Sequence, residues 1–213
     1  MSARQVQLGI KRASDLLIGF TAMVVLAPLL LLLALWIRLD SRGPALFVQP
    51  RLGQRGKSFR LLKFRTMVEG AESMGPGLAT ARDDPRITRT GRVLRWLSLD
   101  ELPQLINVVR GDMSLVGPRP APVEHLQRYS ERDKQRLEMR PGMTGWAQIH
   151  GRNLLTWPER IEKDIWYIRN HGLLLDMSIL IRTIMVVLSS KGIYSGRHES
   201  VTSSTGVERG PKE

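Results

Sequence analysis

The chain has 213 residues and no cysteine, and its 32 Lys and Arg against 20 Asp and Glu give a formal net charge of +12. The absence of cysteine excludes disulfide frameworks and thiolate metal sites, and the length suits one domain with a sizeable core. The basic excess favours a polyanionic partner, which leaves nucleic acid, an anionic membrane surface and phosphorylated substrates open.

The first predicted element is an uncharged apolar run at Leu16–Ile37, bracketed by Asp15 and Arg38. Its 22 residues meet the roughly 20 that a helix needs to cross a hydrocarbon core of about 30 Å. A cleaved signal sequence is disfavoured, because its apolar stretch has about 7–15 residues and precedes a small-x-small cleavage site. We therefore predict a membrane segment over residues 15–38, after a basic segment over residues 1–14.

Two features of the membrane segment favour a re-entrant helix over a kinked span. Pro28 lies near its middle, where proline removes a backbone donor and kinks or breaks a helix. Basic residues flank the run on both sides, and the positive-inside rule expects such residues on the cytoplasmic side. Both flanks obey that rule only if the chain enters and leaves by the same face. The sequence thus predicts a helix-break-helix hairpin bent at Ala27–Pro28.

After residue 38 the pattern indicates an α+β domain, mostly helical, over residues 39–195. Two apolar-aromatic stretches at Ala45–Gln49 and Phe59–Phe64, separated by proline and glycines, predict a small β-hairpin. The Gly- and Ser-rich stretch Glu69–Arg82 predicts a mobile loop. The polar residues 196–213 predict a disordered tail.

The helices of this domain are predicted from their apolar stripes. One begins at Ser98, where Ser98 and Glu101 fit a capping box, and ends at Gly111. Others are predicted over Val123–Tyr129, over Ser130–Met139 and after Thr156. The apolar stretch Leu173–Leu188 contains two charges, which favours an interfacial or core helix over a span. We expect these amphipathic helices to lie at the membrane interface around the active site.

The adjacent acids Asp100 and Glu101 are the main candidates for chemistry. The alternative is structural, because acids in a first helical turn are favoured by the helix dipole. Arginines upstream, among them Arg95, and Arg119 in a Gly-Pro-Arg-Pro sequence shift that balance, because guanidinium groups suit phosphate oxygens. Carboxylates beside phosphates suit Mg²⁺. Acid, arginine and metal together favour phosphoryl transfer, and a carboxylate can act as the nucleophile at phosphorus.

Several other polar residues allow both a functional and a structural interpretation. Lys63 and Arg65 at a strand end either approach phosphates or form a solvated face. Trp146 and Gln148 either shape a nucleotide pocket or belong to the core. For Asp164 and Tyr167 the default is a polar helix surface, and for Asp176 an internal salt bridge with an arginine.

Five runs in the same order resemble those of the bacterial sugar transferase family, the monotopic phosphoglycosyl transferases. They are Lys63–Met67, Ser98–Leu105, Gly111–Pro120, Arg140–Gln148 and Gly151–Asn153. The resemblance extends from about Lys11 to about Gly192. The chain resembles the short catalytic form of this family, which starts the assembly of glycoprotein glycans, capsule, exopolysaccharide or O-antigen.

The resemblance implies a transfer of sugar 1-phosphate from a UDP-sugar to undecaprenyl phosphate, with release of UMP, a ping-pong course and a need for Mg²⁺. It implies that Asp100 is the nucleophile, that Glu101 supports Mg²⁺ binding, and that Arg95 and Arg119 bind phosphate. It also implies a monotopic protein on the cytosolic face of the inner membrane. Family members often break the membrane helix at Ser-Pro; here the pair is Ala27-Pro28, so the serine hydroxyl is missing at the break.

A different class of function competes with the transferase. A membrane-anchored scaffold would use its basic surface to bind anionic lipid or another protein, and Asp100 would then be only a helix cap. Nucleic-acid binding is disfavoured, because no groove-reading motif is present. The sequence leaves the sugar, the pathway and any homo-oligomer open.

Overall fold

The structure is a computed structural model that describes residues 3–74 and 84–188. The helices and strands in these ranges are α1 Ala3–Asp40, β1 Leu46–Leu52, β2 Ser58–Phe64, α2 Arg89–Trp96, α3 Gln104–Arg110, β3 Ser114–Val116, α4 Glu131–Lys134, β4 Gly142–Thr144, α5 Trp146–Ile149, α6 Trp157–Asn170 and α7 Leu173–Leu188. The predicted tail at 196–213, and residues 75–82 of the predicted mobile loop, lie outside the described residues.

The predicted α+β class, mostly helical, is confirmed. Strands β1 and β2 form the predicted antiparallel hairpin, in which Leu46 faces Phe64 and Leu52 faces Ser58. A second pair, β3 and β4, is parallel and brings Ser114 beside Gly142. The main core lies between α3, the β3–β4 pair, α6 and α7, around the fully buried Tyr167.

One face of α1 packs against the rest of the molecule along nearly the whole helix. Leu8 and Met23 contact the main core. Leu33 and Ile37, near the other end, pack with Phe64 of β2 and Leu94 of α2. The opposite face exposes apolar side chains, among them Leu17, Val25 and Leu31. Such a face suits hydrocarbon better than water.

Polar contacts fix both ends of α1 to the same domain. Near its beginning, the Lys11 ammonium lies 2.6 Å from the Asp176 carboxylate of α7. The Asp15 carboxylate accepts hydrogen bonds from the Ser114 hydroxyl at 2.7 Å and from the Leu115 amide at 3.0 Å. At the other end, Asp40 accepts a 3.0 Å bond from the first turn of α2, at the Thr90 amide.

α1 is the one helix in the described ranges that is long and apolar enough to cross a membrane. Its 38 residues correspond to roughly 57 Å at 1.5 Å per residue. The helix continues through Ala27 and Pro28, so the break expected at this pair is not shown. The re-entrant hairpin stays a prediction.

The helix predicted from Ser98 to Gly111 differs from the structure at its beginning. Residues Leu99–Glu101 form a 3-10 turn, and the α-helix starts only at Gln104. Ser98 has a left-handed backbone with φ +55° and its side chain caps nothing. The predicted capping box is therefore wrong. The Ser98 hydroxyl instead accepts a hydrogen bond from Arg152, and the Glu101 carboxylate accepts one from Arg119. The end at Gly111, with φ +94°, is confirmed.

Three further expectations change in the folded chain. The helix predicted over Val123–Tyr129 is present as a 3-10 helix over Val123–Arg128. Asp164 and Tyr167, taken as surface residues by default, are each 1% exposed. The predicted internal salt bridge of Asp176 exists, but its partner is Lys11 where an arginine was expected.

Candidate active site

A cavity of about 610 Å³ opens between the β1–β2 hairpin, the Leu99–Glu101 turn, the Gly-Pro-Arg-Pro loop and the start of α6. It contains all six residues that the sequence singled out for catalysis or phosphate binding: Lys63, Arg65, Arg95, Asp100, Glu101 and Arg119. The described part of the chain thus brings into one cleft residues that are up to 56 positions apart in sequence.

The turn that carries the two acids is held against the hairpin by α3. The Asn107 side chain, which is fully buried, accepts a 3.0 Å bond from the Leu62 amide and donates a 2.8 Å bond to the Arg60 carbonyl oxygen. Both partners lie on β2. The turn therefore sits at the end of β2, where Lys63 also lies.

Glu101 is held by two basic side chains. Its carboxylate lies 2.7 Å from an Arg119 guanidinium nitrogen and 3.5 Å from the Lys63 ammonium. Burial opposes ionisation of Glu101, but the positive charges of Arg119 and Lys63 outweigh it and hold the pKa of this carboxyl below its usual range. Glu101 is thus an anion at neutral pH.

Asp100 lies in a different environment. No ion pair of its carboxylate with a residue of the described ranges is seen, and the charge of Glu101 lies next to it. Burial, together with that charge, raises the pKa of Asp100 to about 6, in spite of Lys63, Arg95 and Arg119. A strongly perturbed carboxyl in a cleft is typical of a functional group.

The four predicted phosphate contacts separate into two groups. Lys63, Arg95 and Arg119 line the cavity around the acids, with the Arg95 Nε donating a 2.8 Å bond to the Thr66 hydroxyl. Arg65 also borders the cavity, but its guanidinium donates to the carbonyl oxygens of Arg42 and Ser41, the latter at 2.8 Å. These groups follow the C-terminal end of α1, where cations are favoured. Arg65 therefore serves the helix end and not the centre of the cleft.

Sequence reasoning missed Arg152 as a site residue. Its guanidinium lines the cavity and donates a 3.2 Å bond to the Ser98 hydroxyl. Both residues have a left-handed backbone, with φ +52° at Arg152 and +55° at Ser98. Such conformations are strained for non-glycine residues and cluster at functional sites. Only the position of Arg152 within the run Gly151–Asn153 pointed to it.

A buried ion pair at the wall of the cavity supports the Arg119 loop. The Arg136 guanidinium lies 2.6 Å from the Asp164 carboxylate, and both side chains are 2% exposed. Arg136 also donates a 3.1 Å bond to the Arg119 carbonyl oxygen and lies 5.1 Å from the Trp157 ring centre.

Of the two residues that the sequence offered for a nucleotide pocket, Gln148 lines the cavity. Trp146 instead stacks on Trp166, with 4.4 Å between ring centres.

The acids fit the ligand preferences of Mg²⁺, although no group of three or more potential metal-binding side chains occurs in the ranges that the structure covers. Mg²⁺ is usually held by one or two carboxylates together with substrate phosphates and water. Asp100 and Glu101 supply two carboxylates in a cleft lined by cations that suit phosphate. Burial and the charge of Glu101 raise the pKa of Asp100, and a bound cation would offset this by stabilising the ionised carboxylate.

Comparison with known proteins gives one consistent family. Residues 6–190 match the family described as "Bacterial sugar transferase". The chain is 43% identical to the "Uncharacterized sugar transferase EpsL" of Bacillus subtilis, over 92% of this chain and 96% of that protein. It is 46% identical to the "UDP-glucose:undecaprenyl-phosphate glucose-1-phosphate transferase" of Caulobacter vibrioides, over 86% of this chain and 72% of that protein.

Other relatives are longer than this chain. The "Undecaprenyl-phosphate glucose phosphotransferase" of Komagataeibacter xylinus is 45% identical over 86% of this chain, but the match covers only 37% of that protein. The shared part includes the hairpin, the acidic turn and the Gly-Pro-Arg-Pro loop that form the cleft. The chain belongs to the bacterial sugar transferase family.

Proposed function

We infer that this chain transfers a sugar 1-phosphate from a UDP-sugar to undecaprenyl phosphate or a similar polyprenyl phosphate and releases UMP. Such a reaction begins the assembly of a bacterial glycoconjugate. The names of the relatives support the reaction class. The observation that carries the proposal is the pair of adjacent acids, of which Glu101 is neutralised by Arg119 while Asp100 is left without an ion pair among the described residues.

In the first step, an Asp100 oxygen attacks the phosphorus that bears the sugar. A new bond forms between that oxygen and phosphorus, and the bond to the bridging oxygen breaks, so that its electron pair leaves with UMP. The product is an acyl phosphate of Asp100 that carries the sugar. Lys63, Arg95 and Arg119 lie where charge develops on the phosphate oxygens, and stabilising that charge is the main task in phosphoryl transfer.

In the second step, a phosphate oxygen of the polyprenyl phosphate attacks the same phosphorus. The bond between phosphorus and Asp100 breaks, the carboxylate is restored, and the sugar is left on a polyprenyl diphosphate. Both nucleophiles are anions, so neither step needs a general base. Mg²⁺, held by Asp100 and Glu101 together with substrate phosphates, would neutralise phosphate charge.

The protein would work from the cytosolic face of the inner membrane, as a monotopic protein. α1 supports this placement, because both of its ends contact one domain while its outer face is apolar. The net charge of +12 would attract anionic lipid and anionic substrates alike.

The covalent step is tested by incubating the protein with Mg²⁺ and single UDP-sugars, without acceptor. We expect one donor to give a single equivalent of UMP and a phosphosugar adduct on Asp100, detected by mass spectrometry. Asp100→Asn should keep its fold by circular dichroism and lose both signals, because an amide cannot replace the nucleophile.

Asp133→Asn is the matched control for this experiment. Asp133 lies on the surface helix α4, away from the cleft, so UMP release should be unchanged. Transfer that survives Asp100→Asn, or an adduct on another residue, would overturn the proposed mechanism.

A further inference from the structure

A second cavity, of about 210 Å³, adjoins the active-site cleft. The two cavities share one wall, formed by Ser98, Glu101, Arg119, Gln148 and Arg152. Away from this wall, most of the lining is aliphatic: Leu102, Leu115, Met143, Ile149, Leu180, Val186 and Val187. The second cavity therefore has a charged end, at Glu101, Arg119 and Arg152, and an apolar interior.

This lining does not suit the sugar or the nucleotide. Hydroxyl and amide groups placed against aliphatic side chains would lose their hydrogen bonds to water without replacement. A hydrocarbon gains from the same transfer. The apolar part of a substrate is thus the better occupant, and its polar end would meet the shared wall.

Two residues of the shared wall carry buried polar atoms that lack a hydrogen-bond partner in the described ranges. Gln148 is 8% exposed, and neither its amide nitrogen nor its amide oxygen has a hydrogen-bond partner among the residues that the structure describes. The same is true of one terminal nitrogen of Arg152. Buried donors without partners are unfavourable unless a ligand meets them. A phosphate between the two cavities would supply the acceptors.

Helix α7 separates the second cavity from the outer surface. Leu180 and Val187 line the cavity, whereas Ile181, Ile184 and Met185 point outward with more than half of their surface exposed. An apolar outer face of this kind marks a surface that contacts lipid or protein. A hydrocarbon chain that leaves the cavity past α7 would therefore meet apolar surface, not water.

The volume suits a small branched hydrocarbon. A cavity of about 150 Å³ holds benzene, which has six carbon atoms. At about 210 Å³ the second cavity has room for an isoprene unit, which has five.

We propose that the second cavity binds the phosphate-proximal isoprene of the acceptor lipid, with the lipid phosphate at the wall shared with the cleft. This assignment rests on the proposed function and adds the place where the acceptor enters. The donor occupies the larger, basic cleft, and the acceptor reaches the same phosphorus from the apolar side.

The test fills the second cavity from α7 and follows the two half-reactions separately in the full chain. Leu180→Trp places a large ring in the cavity, and Ile181→Trp adds the same ring to the adjacent, outward position. With UDP-sugar and Mg²⁺ alone, both variants should release UMP as the unchanged protein does. With undecaprenyl phosphate, Leu180→Trp should raise the acceptor KM at least about tenfold, because losing apolar contact with even two carbons is worth that much.

A second pair of variants covers the case in which Leu180→Trp does not fold, because Leu180 also packs against the main core. Val187→Trp fills the cavity from another position, and Ile184→Trp is its outward control. An acceptor KM that stays unchanged in a folded, filled variant would reject the acceptor site alone. An equal rise in the donor KM would reject it too. An unchanged protein that makes no UMP with both substrates present would reject the proposed function and, with it, this site.

Discussion

Asp100 and Glu101 are neighbours in the chain, yet the charges around their carboxylates differ. Glu101 lies between Arg119 and Lys63, so its negative charge is compensated. Asp100 feels that same negative charge in a buried position. Two acids whose pKa values are pushed apart by their surroundings are suited to different tasks. The compensated acid can stay an anion beside a metal, and the uncompensated acid is the more reactive nucleophile.

The raised pKa of Asp100 predicts the acid limb of the first half-reaction. Only the ionised carboxylate attacks phosphorus, so UMP release from donor alone should rise with pH through an acid limb at or below about 6, because Mg²⁺ held by the acids would lower the pKa of the metal-free carboxyl. Glu101→Gln removes the neighbouring negative charge and should move this limb to lower pH, whatever its effect on the maximal rate. The measurement is kcat/KM for the donor against pH at saturating Mg²⁺.

Glu131→Gln is the control for this shift, because the Glu131 side chain is 90% exposed on α4. The acid limb of the Glu131→Gln pH profile should coincide with that of the unchanged protein. If the acid limb of the Glu101→Gln profile lay at the same pH as that of the unchanged protein, the charge of Glu101 would not be a cause of the raised Asp100 pKa.

At this scale the sequence identified the acids and three of the basic residues that surround them. Adjacent acids, a series of arginines and the Gly-Pro-Arg-Pro sequence are local signals, so they can be recognised in the sequence itself. Arg65 and Arg152 could not be placed in this way. The role of Arg65 depends on where α1 ends in space, and that of Arg152 on a left-handed backbone that brings its side chain to Ser98.

Helix α2 places Arg95 at the cleft, so its position affects the site. Its first turn is capped by the Thr88 hydroxyl, which accepts a 2.9 Å bond from the Gly91 amide. Gly91 lies so close to the segment that follows β2 that an added Cβ would come 2.1 Å from the Thr66 carbonyl oxygen. The hydroxyl of the same Thr66 accepts the bond from Arg95. Close packing at glycine thus sets the distance between α2 and the end of the hairpin.

Gly91→Ala should therefore displace α2 and weaken both stability and donor binding. Overpacking of this kind lowers the free energy of unfolding by about 1–3 kcal/mol, and the donor KM should rise because Arg95 moves away. Gly9→Ala is the matched control, because nothing lies within 4 Å of a Cβ at that position of α1. It should be neutral or stabilise by up to about 1 kcal/mol. Equal thermal denaturation and equal donor KM for the two variants would contradict this account of the packing.

The Ser/Thr-x-x-Glu pattern occurs at the start of two predicted helices, and its two outcomes show why the boundaries of helices are harder to predict than the helices themselves. At Thr156 and Glu159 the local pattern is followed, and the box opens α6. At Ser98 and Glu101 the same pattern fails, because the Ser98 hydroxyl accepts from Arg152 and the Glu101 carboxylate binds Arg119. The two stretches share the Ser/Thr-x-x-Glu pattern and differ at its third position, which is Pro158 in one and Asp100 in the other. The difference lies in the charges that the fold brings to the second one.

For the molecule as a whole, α1 is the main constraint on how it meets a membrane. Its beginning contacts the domain through Lys11 and Asp15, and its end does so through Asp40. A helix that crossed the bilayer from one side to the other would carry one end away from the domain. The arrangement favours the proposed monotopic placement, in which the proposed nucleotide-sugar donor and lipid acceptor would both reach the cleft.

The long apolar helix α1 was predictable from composition, because hydropathy is a property of one stretch of chain. The two cavities were not. Their walls combine residues from the hairpin, the acidic turn, the Gly-Pro-Arg-Pro loop, β4, α5, α6 and α7. No spacing within one segment encodes such a surface, which arises only when the segments pack.

Single cysteines can test the topology of α1, because the chain contains no cysteine of its own. Single cysteines at the exposed positions Arg4 and Arg42 mark the two ends of the helix. Because both ends contact one domain, Arg4→Cys and Arg42→Cys should both react with a membrane-impermeant maleimide in inverted inner-membrane vesicles. Neither should react in intact spheroplasts. A helix that spans the membrane would give opposite patterns for the two cysteines, and that result would reject the monotopic placement while leaving the chemistry of Asp100 untouched.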